Sequence, residues 1–373
     1  MKVKEVDIYS LKETWNNLLK NNLLGDNIFL TWEWLSTWWK HFGKEKKNLV
    51  LLVMDENEVV GIAPLMLSKY KLPGFGSIKK VEFIGSRQSD YNNFIIIKKE
   101  AECLRLITEY LTDSVEHWDW IELKEIPETA KKAHYLEKLF RDISFSLRLR
   151  TRICNICPYV PLPDSFDQLI NGLSKNMRQN LNKYQRRIKE NYHVELKRYD
   201  EARLSVKEAM ELFITLHEKR WILKGLPGAF RNNDTFRNFH MEIAERFANS
   251  GWLGLYFLMS DGEPVSAQYT FEYGQKMYYY LAGFDPEYSN YSVGNLMTLY
   301  LLERCIKKGF REYDMMRGIE PYKAWWTQSY KRNFEIRLVR GGLLRNFCDW
   351  ITWNKAITSL VEKTKLSLKA VSI

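Results

Sequence analysis

The run Arg317-Gly318-Ile319-Glu320-Pro321-Tyr322-Lys323, close behind Asp314, puts an ammonium, carboxylates and a phenol within ten residues. Attack on a carbonyl needs a positive group near the developing oxyanion and a base near the nucleophile. Lys323 is the candidate for the first role and Asp314 or Glu320 for the second, with Pro321 fixing the backbone just before Lys323. The competing reading is a structural Arg317–Glu320 ion pair with a solvated Lys323. His217 and Arg220 stand three apart on one helical face and adjoin Trp221, a set that could contact an anionic acceptor; a packing role for His217 competes. Asp285, in Gly283-Phe284-Asp285-Pro286, sits in a turn-forming run that reads equally as a substrate contact or as a loop.

These residues need elements to hold them. In the first half, strand-like Val3–Tyr9 precedes helical patterns at Leu11–Leu24 and Thr31–Phe42, the latter with Thr31 as N-cap and Gly43 as stop. Apolar runs Asn48–Met54 and Val59–Leu67 across a short polar loop predict a hairpin. Strands at Lys80–Ile84 and Asn93–Ile97, a helix at Glu102–Leu111 and a strand at Trp118–Leu123 follow.

The second half repeats the order: a strand at Glu195–Tyr199, helices at Lys207–Trp221 and Phe236–Ser250, then Leu253–Met259 and Val265–Glu272 across Asp261-Gly262, a strong hairpin signal. Met277–Ala282, a helix at Gly294–Lys308 and a strand at Glu312–Met316 complete it. Consecutive antiparallel strands mixed with helices predict an α+β fold rather than a doubly wound parallel one, present twice. The Pro-marked stretch Cys157–Pro163 sets the expected boundary: domains at 1–157 and 158–340, with a helical C-terminal tail at 341–373 carrying Trp350, Trp353, Leu360 and Leu366.

Composition agrees with two packed domains. The 373 residues are 45% hydrophobic and 27% charged, which excludes a disordered or fibrous chain. Aromatic residues reach 14%, enough for large core wedges and aromatic-lined grooves. The net charge of +10 permits anionic partners and names none. The helix Ser174–Lys189 carries six basic and no acidic residues, so it reads as a candidate contact for tRNA or an anionic surface, or as a solvated face. Cys154 and Cys157 have CxxC spacing, but no second CxxC or HxxxH accompanies them and no metal is expected. With no secretory signal, no transmembrane segment and five scattered cysteines, a cytoplasmic protein is expected.

Several stretches carry a family likeness: Thr31-Trp32-Glu33-Trp34-Leu35, Gly61-Ile62-Ala63-Pro64-Leu65, Phe83-Ile84-Gly85-Ser86, His217-Glu218-Lys219-Arg220-Trp221, Ala282–Tyr288, Val293-Gly294-Asn295-Leu296, Gly309–Asp314 and Arg317–Lys323. Their order over nearly the whole chain resembles the BioF2-like and CelD-like branch of the GNAT acetyltransferase superfamily, related to Fem-type aminoacyltransferases. The resemblance implies two tandem GNAT-like domains, each a mixed, mostly antiparallel sheet flanked by helices, with the donor site in the second. It implies an N-acetyltransferase-like enzyme moving an acyl group from acetyl-CoA or another acyl-CoA to an amine of a cell-envelope or polysaccharide precursor.

By this resemblance the donor pyrophosphate belongs at Tyr291-Ser292-Val293-Gly294-Asn295, where a helix start offers unpaired N–H groups and Gly294 allows close approach. A Ser292-capped helix start with no ligand is the competing reading. The superfamily pattern is incomplete here, with Tyr291 at its first place and Leu296 at its last, which keeps aminoacyl-tRNA open as an alternative donor. Arg317 and Tyr322 join His217, Arg220, Trp221 and Asp285 as expected substrate contacts beside that site. A catalytically degenerate binding module of polysaccharide synthesis is the reading from a different class.

Overall fold

The computed structural model describes residues 1–20, 26–72, 76–115, 118–128, 132–143, 147–223, 225–342, 345–346, 348–350 and 352–354. The end of the helix expected through Leu24 and tail positions Leu360 and Leu366 lie outside these residues. The chain divides into two compact units: unit 1 is Met1–Cys157 with Arg317–Ile319 and Tyr330–Ile373, and unit 2 is Pro158–Met316 with Glu320–Ser329.

In unit 1, β1 (Lys2–Val6) precedes α1 (Lys12–Lys20), α2 (Trp32–Phe42), β2 (Lys47–Asp55), β3 (Glu58–Leu72), β4 (Gly76–Phe83), the short β5 (Ile95–Ile96), α3 (Glu100–Glu109), β6 (Trp120–Pro127) and α4 (Lys132–Ile143). Thr31 Oγ1 accepts from the Trp34 N–H and Gly43 follows the last residue of α2, the caps that its sequence carries. The strands pair in the order β1-β2-β3-β4-β6, antiparallel until the last pair, β4 with β6, which is parallel. Leu49, Leu51, Val81, Phe83, Ile121 and Leu123 bury one sheet face against Leu104 and Ile107 of α3 and Leu136 and Phe140 of α4.

β7 (Leu147–Pro161) leads into unit 2, its residues through Cys157 falling in unit 1. Unit 2 continues with α5 (Phe166–Gly172), α6 (Lys175–Lys189), β8 (Val194–Arg198), α7 (Val206–Leu223), α8 (Asp234–Asn249), β9 (Leu253–Ser260), β10 (Glu263–Tyr273), β11 (Lys276–Phe284), α9 (Val293–Lys307) and β12 (Glu312–Asp314). The sheet order β8-β9-β10-β11-β12 repeats that of unit 1, again antiparallel until the parallel last pair. Asp261 and Gly262 turn the β9–β10 hairpin with positive φ at both residues, which the Asp-Gly pair accommodates readily. α7 packs on β10 and β11, while α9 buries Leu296, Leu299 and Leu302 with Tyr256, Leu258 and Met277 of the sheet.

Two strands escaped the sequence reading. β13 (Tyr330–Arg340), expected in the second domain, pairs antiparallel with β6 in unit 1; the boundary at residue 340 is corrected accordingly. The stretch read as a Pro-marked connection is the end of β7, where Tyr159, Val160 and Pro161 pair with β12. Both strands carry charges at positions that would ordinarily face solvent, yet Glu335 and Arg337 are buried because they pair with each other and with Glu122 and Asp349. The spacing of Cys154 and Cys157 puts them on opposite faces of β7, and no group of three or more metal-ligating side chains occurs among the described residues. No helix among them is long and apolar enough to cross a membrane.

Candidate functional site

β11 and β12 pair only where Lys276–Tyr278 meets Glu312–Asp314; beyond Tyr278, β11 runs on to Phe284 bonded to β10 alone. α9 begins beside this opening. A cavity of about 230 Å³ there is walled by Tyr279, Ala282, Gly283 and Phe284 of β11, Ser266 and Gln268 of β10, Arg220 of α7, the segment Ser292–Asn295 with Thr298 and Ser289, and Tyr322.

The start of α9 is built to leave donors free. Ser292 has a left-handed backbone, φ 54°, and its side chain caps nothing; instead its Oγ accepts from Asn295 Nδ2 at 2.9 Å. The Asn295 and Leu296 N–H groups turn back to the Ser292 carbonyl, so the first two, Val293 and Gly294, have no acceptor among the described residues. A Cβ on Gly294 would meet nothing within 4 Å, so the backbone there faces open space. This is the cradle an anion fits, with the positive end of the helix dipole behind it. The first turn of α9 holds no acidic residue, whereas its counterpart α3 begins with Glu100 and Glu102, which favour the dipole themselves and repel an anion.

Beneath α9, three side chains pin its first turn to the sheet. Tyr313 Oη donates to Gln268 Oε1 at 2.6 Å, Gln268 Nε2 donates to Thr298 Oγ1 at 3.1 Å, and Thr298 Oγ1 donates to the Gly294 carbonyl at 3.1 Å. Gln268, Thr298 and Ser266 were missed from sequence; a buried Gln between apolar strand neighbours was the available signal.

Arg220 crosses the cavity wall from α7. One of its terminal nitrogens donates to the Ala282 carbonyl at 3.3 Å, its Nε has no hydrogen-bond partner, and no carboxylate lies within ion-pair distance among the described residues. Its guanidinium and Tyr322 both hydrogen-bond Tyr279. Burial raises the pKa of the Tyr279 and Tyr322 phenols, so both keep their protons at neutral pH. Gly283 lets β11 approach α7: a Cβ there would overlap the His217 backbone nitrogen.

Of the residues expected from sequence, the cavity brings together Arg220, Tyr322, Ser292, Val293, Gly294 and Asn295. Tyr291 stands just outside, ringed by Tyr192 and Tyr288 and covered by the Arg187 guanidinium at 5.6 Å. His217 lies behind the wall: Nδ1–H donates to the Ala282 carbonyl at 2.9 Å and Nε2 accepts from the Ala229 N–H at 3.4 Å. Burial, with Arg220 adding to it, pushes its pKa down to about 4, so it packs as a neutral ring. Trp221 stacks loosely on His217 at 6.0 Å. Asp285 is a turn residue, accepting from Lys219 Nζ at 2.5 Å and capping Pro286–Tyr291 through the Glu287 N–H.

Asp314, Glu320 and Lys323 do not line the cavity. Asp314 is fully buried and accepts from the Met316 N–H, while buried Lys323 Nζ donates to the Met316 carbonyl at 3.1 Å and pairs with Glu320 at 2.9 Å. Lys323 is thus not solvated, and Glu320 pairs with it rather than with Arg317. Arg317, expected beside the donor site, belongs to unit 1, where its Nε meets Asp90 at 3.1 Å and a terminal nitrogen lies 3.5 Å from Glu125. Five residues separate Arg317 from Lys323, and the chain passes from one unit to the other within them.

With this geometry in view, the acetyltransferase (GNAT) domain family matches residues 175–324. No curated protein matches the chain. Among solved structures, FemX is similar over 90% of this chain and 97% of its own, with 12% identity and a TM-score of 0.63. The C-terminal domain of a putative lysylphosphatidylglycerol synthetase from Agrobacterium fabrum is similar over 96% of this chain and 97% of its own, at 10% identity and TM-score 0.52. L-PGS from Bacillus licheniformis matches over 98% and 100%, at 11% identity and TM-score 0.51. At such identities these likenesses show the fold alone, and the match of residues 175–324 to the acetyltransferase (GNAT) domain family supports an acyltransferase-type enzyme.

Proposed function

We propose that the cavity beside α9 binds the anionic part of an acyl donor, an acyl-CoA, and that the enzyme transfers the acyl group to an amine of a cell-envelope or polysaccharide precursor. The observation that carries this reading is a guanidinium without a carboxylate partner, Arg220, in one cavity with the two unbonded N–H groups of Val293 and Gly294. A bound acyl-CoA supplies an activated thioester carbonyl. Val293 and Gly294 hold its phosphate oxygens through their N–H groups, and Asn295 extends that cradle. Arg220 adds positive charge in a partly desolvated wall, where it counts for more than in water. Tyr322, kept protonated by burial, holds a proton on Oη and serves as the proton donor. Asp314, Lys323 and Glu320 act as positioning residues: they brace the loop between β12 and Tyr322.

Titration of acetyl-CoA into the full chain by calorimetry tests the reading. Arg220→Ala is expected to weaken binding by about 10- to 100-fold, the range of a charge-assisted hydrogen bond. Tyr322→Phe is expected to leave binding intact and slow transfer. Absence of acetyl-CoA binding to the unaltered enzyme sinks the acyl-CoA donor.

One observation favours a second donor. α6 exposes Lys175, Lys183, Arg186, Arg187 and Lys189, and Arg187 covers Tyr291, one residue before the cradle begins. A basic face continuous with a cluster of tyrosines suits the phosphates and bases of an RNA end, hence an aminoacyl-tRNA. Lys183→Glu with Arg187→Glu then abolishes tRNA binding and spares acetyl-CoA binding; tRNA affinity that survives both reversals removes this reading.

A further inference from the structure

Unit 1 repeats the opening between parallel strands, with different chemistry inside it. β4 and β6 pair only at Lys80–Trp120 and Val81–Ile121, and a cavity of about 410 Å³ opens on the sheet face away from α3 and α4. Its volume falls in the ~300–1,000 Å³ range of small-molecule sites. We propose that this cavity is a second ligand site, for a saccharide bearing a phosphate or carboxylate substituent. The inference stands on unit 1 alone and does not depend on the identity of the acyl donor.

The cavity's buried carboxylates are already neutralised. Lys80 Nζ lies 2.6 Å from Glu122 and 3.3 Å from Glu82, and Arg152 holds Glu335 at 2.5 Å. Glu125, the fourth glutamate of the wall, lies 3.5 Å from Arg317, which it shares with Asp90, so each of these carboxylates has a cationic neighbour and the wall is not a bare acidic cluster. What these pairs present instead is acceptor and donor side by side, and Asn92, Asn155 and Ser86 add neutral partners. Ring hydroxyls both donate and accept, so vicinal hydroxyls suit such a wall. Apart from the Cys154 thiol, the lining residues are polar or charged, which leaves nothing for an acyl chain to bury against.

The mouth supplies the charge preference. The lining carries five basic side chains against four glutamates. Arg87 is exposed, without a carboxylate in ion-pair distance among the described residues, and Lys124 is 39% exposed. The helix that follows β4 begins with acidic residues, so an anionic substituent must be held by these side chains and not by a helix N-terminus.

Calorimetry on the full chain with glucose 6-phosphate, glucuronic acid, glucose and inorganic phosphate tests the assignment. Saturable binding of at least one charged sugar is expected, stronger than that of glucose and, for the phosphate ester, stronger than that of phosphate alone. Arg87→Ala, exposed at the rim, and Lys124→Ala, whose ammonium also pairs with Glu122 and Glu335, are each expected to weaken it by about tenfold, or 1.4 kcal/mol, with the thermal melt of each variant checking that it folds. No binding of either charged sugar, equal affinity for inorganic phosphate and glucose 6-phosphate, or binding untouched by both substitutions overturns the proposal.

Discussion

Two arginines show how context decides what a guanidinium does. Arg337 is 2% exposed and contacts three carboxylates, Glu122 at 2.5 Å, Glu335 at 2.9 Å and Asp349 at 3.1 Å, so its charge is spent on structure. Arg220 has no such partner among the described residues, which is why the proposed donor site is built on it. The same logic separates the histidines from the chemistry. A histidine in the unfolded chain titrates near its ordinary 6.5, whereas folded His217 resists protonation until about 4 and His240, fully buried among aromatic rings, until about 3. Between those values the unfolded state binds more protons, so stability is full above pH 6.5 and falls as the pH drops towards 4. His217 alone accounts for roughly 2 kcal/mol of loss at pH 5. Urea unfolding at pH 7.5 and pH 5 checks this, with a lower midpoint expected at pH 5 and a smaller difference in His217→Asn; equal midpoints for the unaltered protein contradict it. The sequence showed that His217 and Arg220 share a helix face, and it could not show that one turns behind the wall while the other lines it.

At the scale of elements, two glycines separate folding from binding. Gly283 sits where β11 touches α7, and Gly294 opens α9 into empty space. Gly283→Ala forces the backbones apart and is expected to lower stability by more than about 2 kcal/mol. Gly294→Ala fills no occupied space and removes glycine's helix penalty, so it is expected to raise stability by roughly 0.5–1 kcal/mol while weakening donor binding. Thermal melts paired with acetyl-CoA titration read both, and a Gly294→Ala protein that binds acetyl-CoA as well as the parent does rejects the cradle. The hairpin at Asp261-Gly262 and the caps of α2 were legible because local chemistry sets them, whereas the Ser292 cap expected at the start of α9 is not made. β7 and β13 were not, because their arginines and glutamates are paired across strands, and alternation of charge with apolar residues does not reveal which charges find partners.

At the scale of the whole chain, each copy of the fold has its parallel pair flanked by a strand from elsewhere in the sequence: β13 beside β6 and β7 beside β12. Unit 2 is nested, in sequence, within unit 1. A fragment covering residues 158–329 holds every strand of its own sheet except the part of β7 before Pro158, whereas a fragment covering 1–157 lacks β13 with its buried Ile336 and Leu338 and leaves Glu122 without Arg337. The first fragment is therefore expected to be soluble with a cooperative melt, and the second to be aggregated or without one. Circular dichroism and size-exclusion chromatography decide it; a stable 1–157 fragment would falsify the role given to β13.

That last strand also sets a timetable on the ribosome. Synthesis runs from the amino end, and domains ordinarily finish in that order. Here the half made first must wait, its β6 edge uncovered and its glutamates short of a partner, until residues 330–340 have been translated. The half made later, complete by Ser329, has all its residues a few codons sooner. A chain cut short by a premature stop just after unit 2 would carry a complete second unit behind an unfinished first half, and would be an early target of cellular quality control.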